Sequence, residues 1–241
     1  MKTHILSLAL LLLFISSFSQ DLTGTQLLDK AIEYHDPNNN WSTFVGELNV
    51  TMETPNNPNR DTEIKINLPE EYFYSKATRD TITIEFVLDK DNCEIFFNGS
   101  PSFSEEVAKK NRLSCERANM YKNYYTYLYG LPMKLKDKGT IVHETVERKT
   151  FKGKEYLVLK ATYEEDIGKD IWYFYFNSET YAMEIYQFYR MDDNRNQKND
   201  TGEYILLTEE ETINGVKMPK NRAWYTNKED KLLGTDILKK E

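Results

Sequence analysis

The chain has 241 residues, a formal net charge of −8 and a sequence pI of about 5.1. An acidic chain without a basic cluster argues against nucleic acid and against anionic membrane surfaces as partners. A requirement for solubility explains the acidity equally well, and we favour that explanation. The charge therefore does not point to any other partner.

The first residues have the pattern of a secretory signal peptide. Lys2 supplies a positive charge, residues 5–15 are an almost unbroken apolar run, and Ser17 and Ser19 are small residues at the cleavage-determining positions. We predict a signal peptide over residues 1–19 and a periplasmic or secreted mature chain. The apolar run is too short to span a bilayer, and no later segment is apolar enough to do so.

Residues 20–241 are expected to form one domain, because no linker, repeat or low-complexity segment divides them. A helix is predicted within residues 21–35, capped by Thr23 or Thr25, with His35 placed as a cation in its last turn. Its apolar residues recur at helical spacing: Leu27, Leu28, Ala31 and Ile32.

Alternating apolar and polar residues predict a series of strands after this helix. A turn is expected at residues 55–59, between the first two of these strands. At the start of the mature chain, no cysteine follows the signal peptide closely enough to carry a lipid anchor. The first predicted strands cover residues 43–54, 62–68, 72–75, 81–88 and 93–97.

The middle of the chain changes period, and two helices are predicted, over residues 104–113 and 114–129. The second helix carries five tyrosines between Tyr121 and Tyr129. Such a stripe suits either packing on the sheet, which we favour, or a boundary between core and water. The residues that share one face are Ala118, Tyr121, Tyr125 and Leu128.

A hairpin of two aromatic-rich runs is predicted over residues 170–190. Its first run is apolar on both faces, so it needs cover on both, or cover on one face and a cavity on the other, and we place it at the centre of a large sheet. The other strands predicted in this half cover residues 140–150, 155–163, 203–212, 216–219, 221–226 and 231–238.

Cys93 and Cys115 are the two cysteines of the chain. Export permits a disulfide between them, which would join the end of a strand to the start of a helix. The alternative is two buried free thiols.

Catalytic chemistry has little support in this sequence. Only His35 and His143 follow the signal peptide, and no Gly-x-Ser-x-Gly motif is present. His143 and Glu144 lack the second histidine of a zinc motif. The acidic runs 164–166 and 209–211 are adjacent carboxylates that indicate solvated surface. We therefore expect no catalytic residue, no enzyme activity and no cofactor.

A polar loop near residue 200 matches five positions of a calcium-binding loop template. Gln197 stands where the template requires glycine, so an ordinary exposed hairpin loop is favoured over a calcium site. The weak candidate ligands are Asp192, Asn194, Asn196, Asp200 and Glu203.

The pattern as a whole predicts a mainly β, α+β fold. We expect a curled antiparallel half-barrel of about ten to twelve strands, with an N-terminal helix and a two-helix insertion covering the concave face. Apolar residues on that face would line a hydrophobic cavity. The predicted ligand-binding residues are Leu48, Val50, Met52, Ile64, Ile66, Ile84, Phe86, Tyr125, Trp172, Phe174, Phe176 and Trp224.

This order of elements resembles the LolA/LppX-type periplasmic carriers, and also an uncharacterised group of similarly built secreted proteins of Gram-negative bacteria. The resemblance implies a half-barrel with a helical lid and carriage of acyl chains or other lipids. The family's gating arginine has no matching position, so no functional residue is transferred. The segments that carry the resemblance are residues 27–34, 46–48, 121–135, 172–177 and 214–219.

Three functions remain open at this point. The first is a monomeric periplasmic carrier for a hydrophobic small molecule or a lipid-modified protein, without covalent chemistry. The second is an interaction module for cell-envelope proteins, with its core filled by side chains. The third and least favoured is a hydrolase with dispersed carboxylates.

Overall fold

A single antiparallel sheet of twelve strands forms most of the molecule in the computed structural model, which describes residues 22–239. The strands are β1 Val45–Thr54, β2 Asn57–Asn67, β3 Tyr72–Arg79, β4 Ile82–Asp89, β5 Asn92–Phe97, β6 Thr140–Phe151, β7 Lys154–Tyr163, β8 Asp170–Asn177, β9 Met183–Arg190, β10 Glu203–Ile213, β11 Val216–Thr226 and β12 Leu232–Lys239. Their order in the sheet is β5-β4-β3-β2-β1-β12-β11-β10-β9-β8-β7-β6. The sheet stays open, with β5 and β6 at its edges, so the predicted half-barrel is confirmed.

Three α-helices accompany the sheet, together with two short 3-10 turns at Asn40–Thr43 and Met133–Lys136. The predicted signal peptide, residues 1–19, lies outside the described residues. Within residues 22–239, none of the helices has the length and apolar character needed to cross a membrane. The helices are α1 Gly24–His35, α2 Glu105–Asn111 and α3 Cys115–Gly130.

The first and last strands meet in the middle of the sheet. β1 pairs with β12, with Val50 opposite Leu238. The β8–β9 hairpin, which the sequence analysis places at the centre, lies near the β6 edge instead. That placement is wrong because the β1–β12 pair sets the C-terminal strands beside the N-terminal ones, and no local pattern encodes this long-range pair.

Two strands run further than predicted. β2 begins at Asn57, inside the predicted turn at residues 55–59, so Arg60 belongs to a strand. β3 continues beyond its predicted end to Arg79, which pairs with Ile82 of β4. Polar side chains end the apolar pattern at these points, but the backbone ladder continues past them.

Both faces of the sheet carry buried side chains. On the concave face one cluster packs around α3 and a second around α1, and Phe174 and Phe176 of β8 belong to the second. A third cluster lies on the opposite face and includes Tyr175 of the same strand. The prediction that the first run of the hairpin needs cover on both faces is therefore confirmed.

The start of α1 is fixed by its cap and by close contact with β6. The Thr23 hydroxyl accepts a hydrogen bond from the Gln26 backbone N–H at 3.2 Å, and the Gln26 side chain accepts one from the Thr23 N–H at 3.0 Å. A Cβ at Gly24 would lie 2.0 Å from the His143 carbonyl oxygen. Glycine at this position therefore allows α1 to rest directly on the strand.

His35 joins α1 to two strands as a buried, neutral side chain. Its Nε2 accepts a hydrogen bond from the Met183 backbone N–H at 2.9 Å, and Nδ1 donates to the Lys217 carbonyl oxygen at 2.9 Å. Burial lowers the pKa of His35. The predicted cation is wrong, because the ring lies in the interior and one of its nitrogens has to accept a hydrogen bond.

The stability of the fold should fall on mild acidification because of His35. The unfolded chain takes up a proton near pH 6.5, the ordinary value, and the folded chain does so only at lower pH. The free energy of unfolding therefore decreases as the pH falls below about 6.5. In His35→Gln this part of the pH dependence should disappear in urea unfolding curves measured between about pH 8 and 5.

His143→Gln serves as the matched control, because His143 is partly exposed and contacts only Thr162 through its ring, at 3.0 Å. Removal of His143 should flatten the pH profile less than removal of His35. An equal or larger effect at His143 would contradict the assignment.

A disulfide joins Cys93 to Cys115, as predicted. Cys93 is the second residue of β5, so the bond begins near the start of that strand rather than at its end. Cys115 is the first residue of α3. The bond therefore fixes the beginning of the covering helix to an edge strand of the sheet.

Loss of this disulfide should destabilise the fold by about 3 kcal/mol, because the bond closes a loop of 22 residues in the unfolded chain. Urea unfolding of a Cys93→Ser/Cys115→Ser double variant would measure the loss. The same variant should be insensitive to a reducing agent that destabilises the unmodified protein. A stability equal to that of the intact protein would contradict the prediction.

Candidate functional site

Helix α3 lies on the concave face and is held there by stacked tyrosines. Tyr125 is buried, with its ring centroid 6.4 Å from Phe73 of the sheet and 6.0 Å from Tyr121. Tyr129 stacks on its other side at 6.4 Å. The predicted packing of the tyrosine stripe on the sheet is confirmed, and the space directly beneath this stripe is filled by side chains.

A row of charged residues crosses the sheet under α3. The strand register pairs Met52 with Arg60 on one side and with Asp236 on the other, and Asp236 with Arg222. Residues paired in this way point to the same face. Arg222 contacts α3, so the row lies on the concave face.

The charged row explains why α3 presents tyrosines rather than leucines. A tyrosine packs its ring against apolar neighbours and places a hydroxyl among polar ones. Burial opposes the charge of Arg60, yet nearby Tyr125 and Tyr121 hold the pKa of that guanidinium above its ordinary value. The tyrosine hydroxyls therefore supply a polar environment for the charged side chains on the concave face of the sheet.

Arg222 anchors the end of α3 to the sheet. The side chain is fully buried at 0% exposure, and its Nη2 donates to the Leu128 carbonyl oxygen at 3.2 Å. Nη1 donates to the Pro219 carbonyl at 3.4 Å, and the guanidinium lies 3.9 Å from the Tyr129 ring centroid. Leu128 is in the last turn of α3, where carbonyls lack helical partners. A charged donor from β11 therefore satisfies one of them.

Asp236 is the buried acid of the row. Its Oδ2 accepts a hydrogen bond from the Trp224 Nε1–H at 3.1 Å. Burial raises the pKa of Asp236, although Arg222 on the neighbouring strand counteracts this effect. The arginine and the aspartate therefore compensate each other inside the core.

A cavity of about 410 Å³, which we call the arginine cavity, opens on the β2–β4 side of α3. Its floor is formed by the sheet and its roof by α2 and α3. The lining combines four arginines with apolar side chains. The lining residues are Arg60, Ala77, Arg79, Asp80, Thr81, Ile82, Ile84, Phe86, Asn111, Arg112, Arg117 and Tyr121.

The guanidinium groups in this cavity lack acidic partners. Within residues 22–239, no carboxylate oxygen lies within 4.0 Å of Arg60, Arg79, Arg112 or Arg117. The Nε atoms of Arg60 and Arg79 are buried and have no hydrogen-bond partner in that range. Arg117 lies 4.8 Å from the Tyr121 ring centroid, and its Nη2 donates to the Tyr121 hydroxyl at 3.3 Å.

A second cavity, of about 630 Å³, opens on the opposite side of α3, toward the β6–β8 edge. We call it the aromatic cavity, because Tyr124, Tyr127, Tyr163 and Trp172 contribute its largest side chains. The Tyr127 and Tyr163 hydroxyls form a hydrogen bond. Lysines and aspartates also line this cavity, so positive and negative side chains are both present and neither sign dominates.

The twelve residues predicted to bind a ligand occupy three kinds of position. Ile84 and Phe86 line the arginine cavity, and Trp172 lines the aromatic cavity. Met52 and Trp224 are half-buried. Ligand binding by these residues stays a prediction. The remaining seven are buried in the packed core: Leu48, Val50, Ile64, Ile66, Tyr125, Phe174 and Phe176.

The arginines of the cavity are absent from the prediction. Arg60 and Arg79 lie in the parts of β2 and β3 that the sequence analysis assigns to loops. Extending the alternation would have placed Arg60 on the face of Ile64, and Arg79 on the face of Phe73. The alternation therefore predicts that both arginines point to the concave face, but apolar residues alone do not indicate this.

The weak calcium candidate in the 192–203 loop stays a prediction. Within residues 22–239, His, Cys, Asp and Glu side chains nowhere gather in a group of three that could hold a metal ion. Asp192 instead accepts hydrogen bonds from the backbone N–H groups of Asn194 at 2.9 Å and Asn196 at 2.8 Å. This carboxylate shapes an exposed turn, as the favoured alternative predicts.

A family model described as a family of unknown function, DUF6503, matches residues 2–241. The chain belongs to this family. No curated protein matches the sequence.

Two solved structures are similar in fold to this DUF6503 chain. A LolA superfamily protein from Nitrosomonas europaea is 9% identical, with a TM-score of 0.48 and coverage of 91% of this chain and 93% of that one. A DUF1329 family protein from Desulfovibrio piger is 8% identical, with a TM-score of 0.46 and coverage of 90% and 91%. The order of the elements along the chain confirms the half-barrel with helices that the sequence predicts, and function does not follow from it.

Arg222→Met should lower the free energy of unfolding by about 3 kcal/mol, because it leaves the Leu128 carbonyl unpaired and Asp236 buried without its cation. Urea unfolding measures this loss. In Arg222→Met/Asp236→Asn the loss should be smaller, since the side chain at position 236 no longer carries a charge. Equal losses in the single and double variants would contradict the compensation between the two residues.

Proposed function

We propose that this protein binds a hydrophobic ligand of the lipid or acyl-chain type without covalent chemistry and carries it through the periplasm. One observation carries the proposal: an open cavity with an apolar floor lies between the helices and the sheet. Ala77, Ile84 and Phe86 supply this floor from neighbouring strands. Apolar area buried there would contribute about 25 cal/mol per Å² to binding.

The size and edge of the arginine cavity suit such a ligand. Its volume of about 410 Å³ falls within the range of roughly 300–1,000 Å³ of small-molecule sites. Ile82, a lining residue, is 43% exposed, and Met120 on α3 is 39% exposed. Exposed apolar side chains at a cavity edge give a hydrophobic molecule a favourable contact before it enters.

The remaining parts of the proposal come from the sequence. The predicted signal peptide would direct residues 20–241 to the periplasm or beyond as one carrier domain. Its cargo would be a hydrophobic small molecule or the acyl chains of a lipid-modified protein. Ile84 and Phe86 would contact the ligand directly, with Trp172 available in the aromatic cavity.

An interaction module for envelope proteins is the second candidate. The observation in its favour is the filled space beneath α3, where Tyr125 and its neighbours occupy the volume that a long acyl chain would need. Under this alternative the two cavities beside α3 would remain empty in protein taken from its native envelope.

Filling the arginine cavity from its floor should weaken binding. Ala77→Phe should weaken binding of an uncharged alkyl probe, dodecanol, by about tenfold or more, because the added ring occupies the ligand's space. Calorimetric titration measures the affinity. Native mass spectrometry of protein purified from its own envelope should show bound lipid in the unmodified chain and less in Ala77→Phe.

Lys76→Phe provides the matched control, because it introduces the same ring on the opposite face of the same strand. Binding should be unchanged in this variant. Absence of dodecanol binding and of copurified lipid in the unmodified protein would overturn the carrier proposal and favour the interaction module.

A further inference from the structure

We infer that the ligand is an anionic amphiphile whose carboxylate or phosphate group is bound by the arginines of the arginine cavity. This inference rests on the proposed function and specifies its ligand class. Under it, the apolar chain lies on the floor formed by Ala77, Ile84 and Phe86, while the charged group lies among the guanidinium groups.

Positive charge is concentrated in this one cavity. The chain contains eight arginines, and four of them line the arginine cavity. A single acid, the exposed Asp80, lines it as well, so the formal charge of the lining is 4 − 1 = +3. The chain as a whole carries −8. The cavity is therefore opposite in sign to the protein around it.

Arg60 and Arg79 lack the ion pair of Arg148 and the carbonyl partners of Arg222, although Arg222 shares with them a buried Nε that has no partner in residues 22–239. Arg148 pairs with Glu155 at 3.1 Å, and Arg222 donates to two backbone carbonyls. Arg60 and Arg79 have no carboxylate within 4.0 Å in residues 22–239, and each keeps a buried Nε without a partner. Burying an unpaired donor of a charged group is costly. An anion bound in the cavity would supply the missing acceptors.

The residue type and its arrangement fit a carboxylate or a phosphate. A guanidinium presents a planar fork of donors that matches two oxygens of one anion, whereas a lysine offers a point charge. Arg60 and Arg79 reach the cavity from the sheet, and Arg112 and Arg117 from the helical insertion. A single anion between these two pairs would contact both the floor and the roof.

The roof is already held over the floor. The Cys93–Cys115 disulfide fixes the start of α3 to β5, two residues before Arg117. The backbone segments that carry both pairs of arginines are therefore in place before the ligand arrives, and binding does not have to order them.

The apolar and charged parts of the lining are adjacent, so one ligand can contact both. Arg79 pairs directly with Ile82 across β3 and β4, and Ala77 pairs with Ile84 two residues further along the same strands. A chain that enters past Ile82 would therefore place its charged end beside Arg79. A free inorganic anion would use only half of this lining.

Three probes separate these contributions: dodecyl phosphate has both the chain and the anion, dodecanol has only the chain, and inorganic phosphate has only the anion. The unmodified protein should bind dodecyl phosphate about tenfold or more tightly than either of the others. In Arg60→Gln and in Arg79→Gln this preference over dodecanol should shrink by about tenfold. Calorimetric titration at constant salt gives all the affinities.

Two further variants serve as controls. Arg148→Gln removes the same charge from an exposed ion pair outside the cavity and should preserve the preference for dodecyl phosphate. Arg79→Lys, which keeps the charge but loses the fork, should retain part of the preference. Since like charges without counter-ions repel, Arg79→Gln should also raise the Tm of the ligand-free protein, whereas removing a structural arginine would lower it.

The outcomes distinguish this inference from the proposed function. Equal affinity for dodecanol and dodecyl phosphate overturns the anionic assignment and leaves the hydrophobic carrier intact. Equal affinity for inorganic phosphate and dodecyl phosphate shows a site for free anions and overturns the amphiphile. A lower Tm in ligand-free Arg79→Gln assigns Arg79 to structure and counts against its role in binding. Failure of both alkyl probes to bind overturns the carrier itself.

Discussion

A row of charged side chains crosses the concave face of the sheet, and the covering helix is built to accommodate it. Arg60, Met52, Asp236 and Arg222 lie side by side on four neighbouring central strands. Buried charges require partners. The C-terminal carbonyl group of Leu128 on α3 provides one for Arg222, and the tyrosine rings of the same helix complete the apolar packing.

The two arginines of the row have different surroundings and different roles on the concave face. On the Arg222 side, the guanidinium bonds to backbone carbonyls and holds the end of α3 in place. On the Arg60 side, the guanidinium has no such partner and faces a cavity. The same residue type therefore serves as an anchor at one end of the helix and as an open site at the other. The difference lies in what surrounds the charge.

Most of the fold could be predicted from the sequence because it depends on local patterns. Alternation located the strands, although it divided β11 into two parts, and a threonine cap located the start of α1. The sheet centre could not be predicted, since the β1–β12 pair joins opposite ends of the chain. His35 was misread for a similar reason: its helix suggests a solvated cation, but Met183 and Lys217, distant in sequence, enclose it.

The candidate site was only half predictable. Ile84 and Phe86 follow from apolar alternation, but Arg60 and Arg79 interrupt that alternation and were taken as the ends of strands. The roof residues Arg112 and Arg117 belong to a helical insertion whose position over the sheet depends on the disulfide and on Arg222. A charged side chain that points inward departs from the alternation of apolar inward and polar outward residues. Its position is therefore evident only in the assembled sheet.

The β1–β12 pair has a consequence for how the chain folds. When the chain emerges from the ribosome with its N-terminus first, β1 has one unpaired edge, because its second neighbour is β12, the last strand of residues 22–239. The middle of the sheet cannot close until β12 has been synthesised. The contacts that join the two halves span nearly the whole sequence, which makes folding slow. The architecture thus delays closure of the sheet until its N-terminal and C-terminal strands are both present.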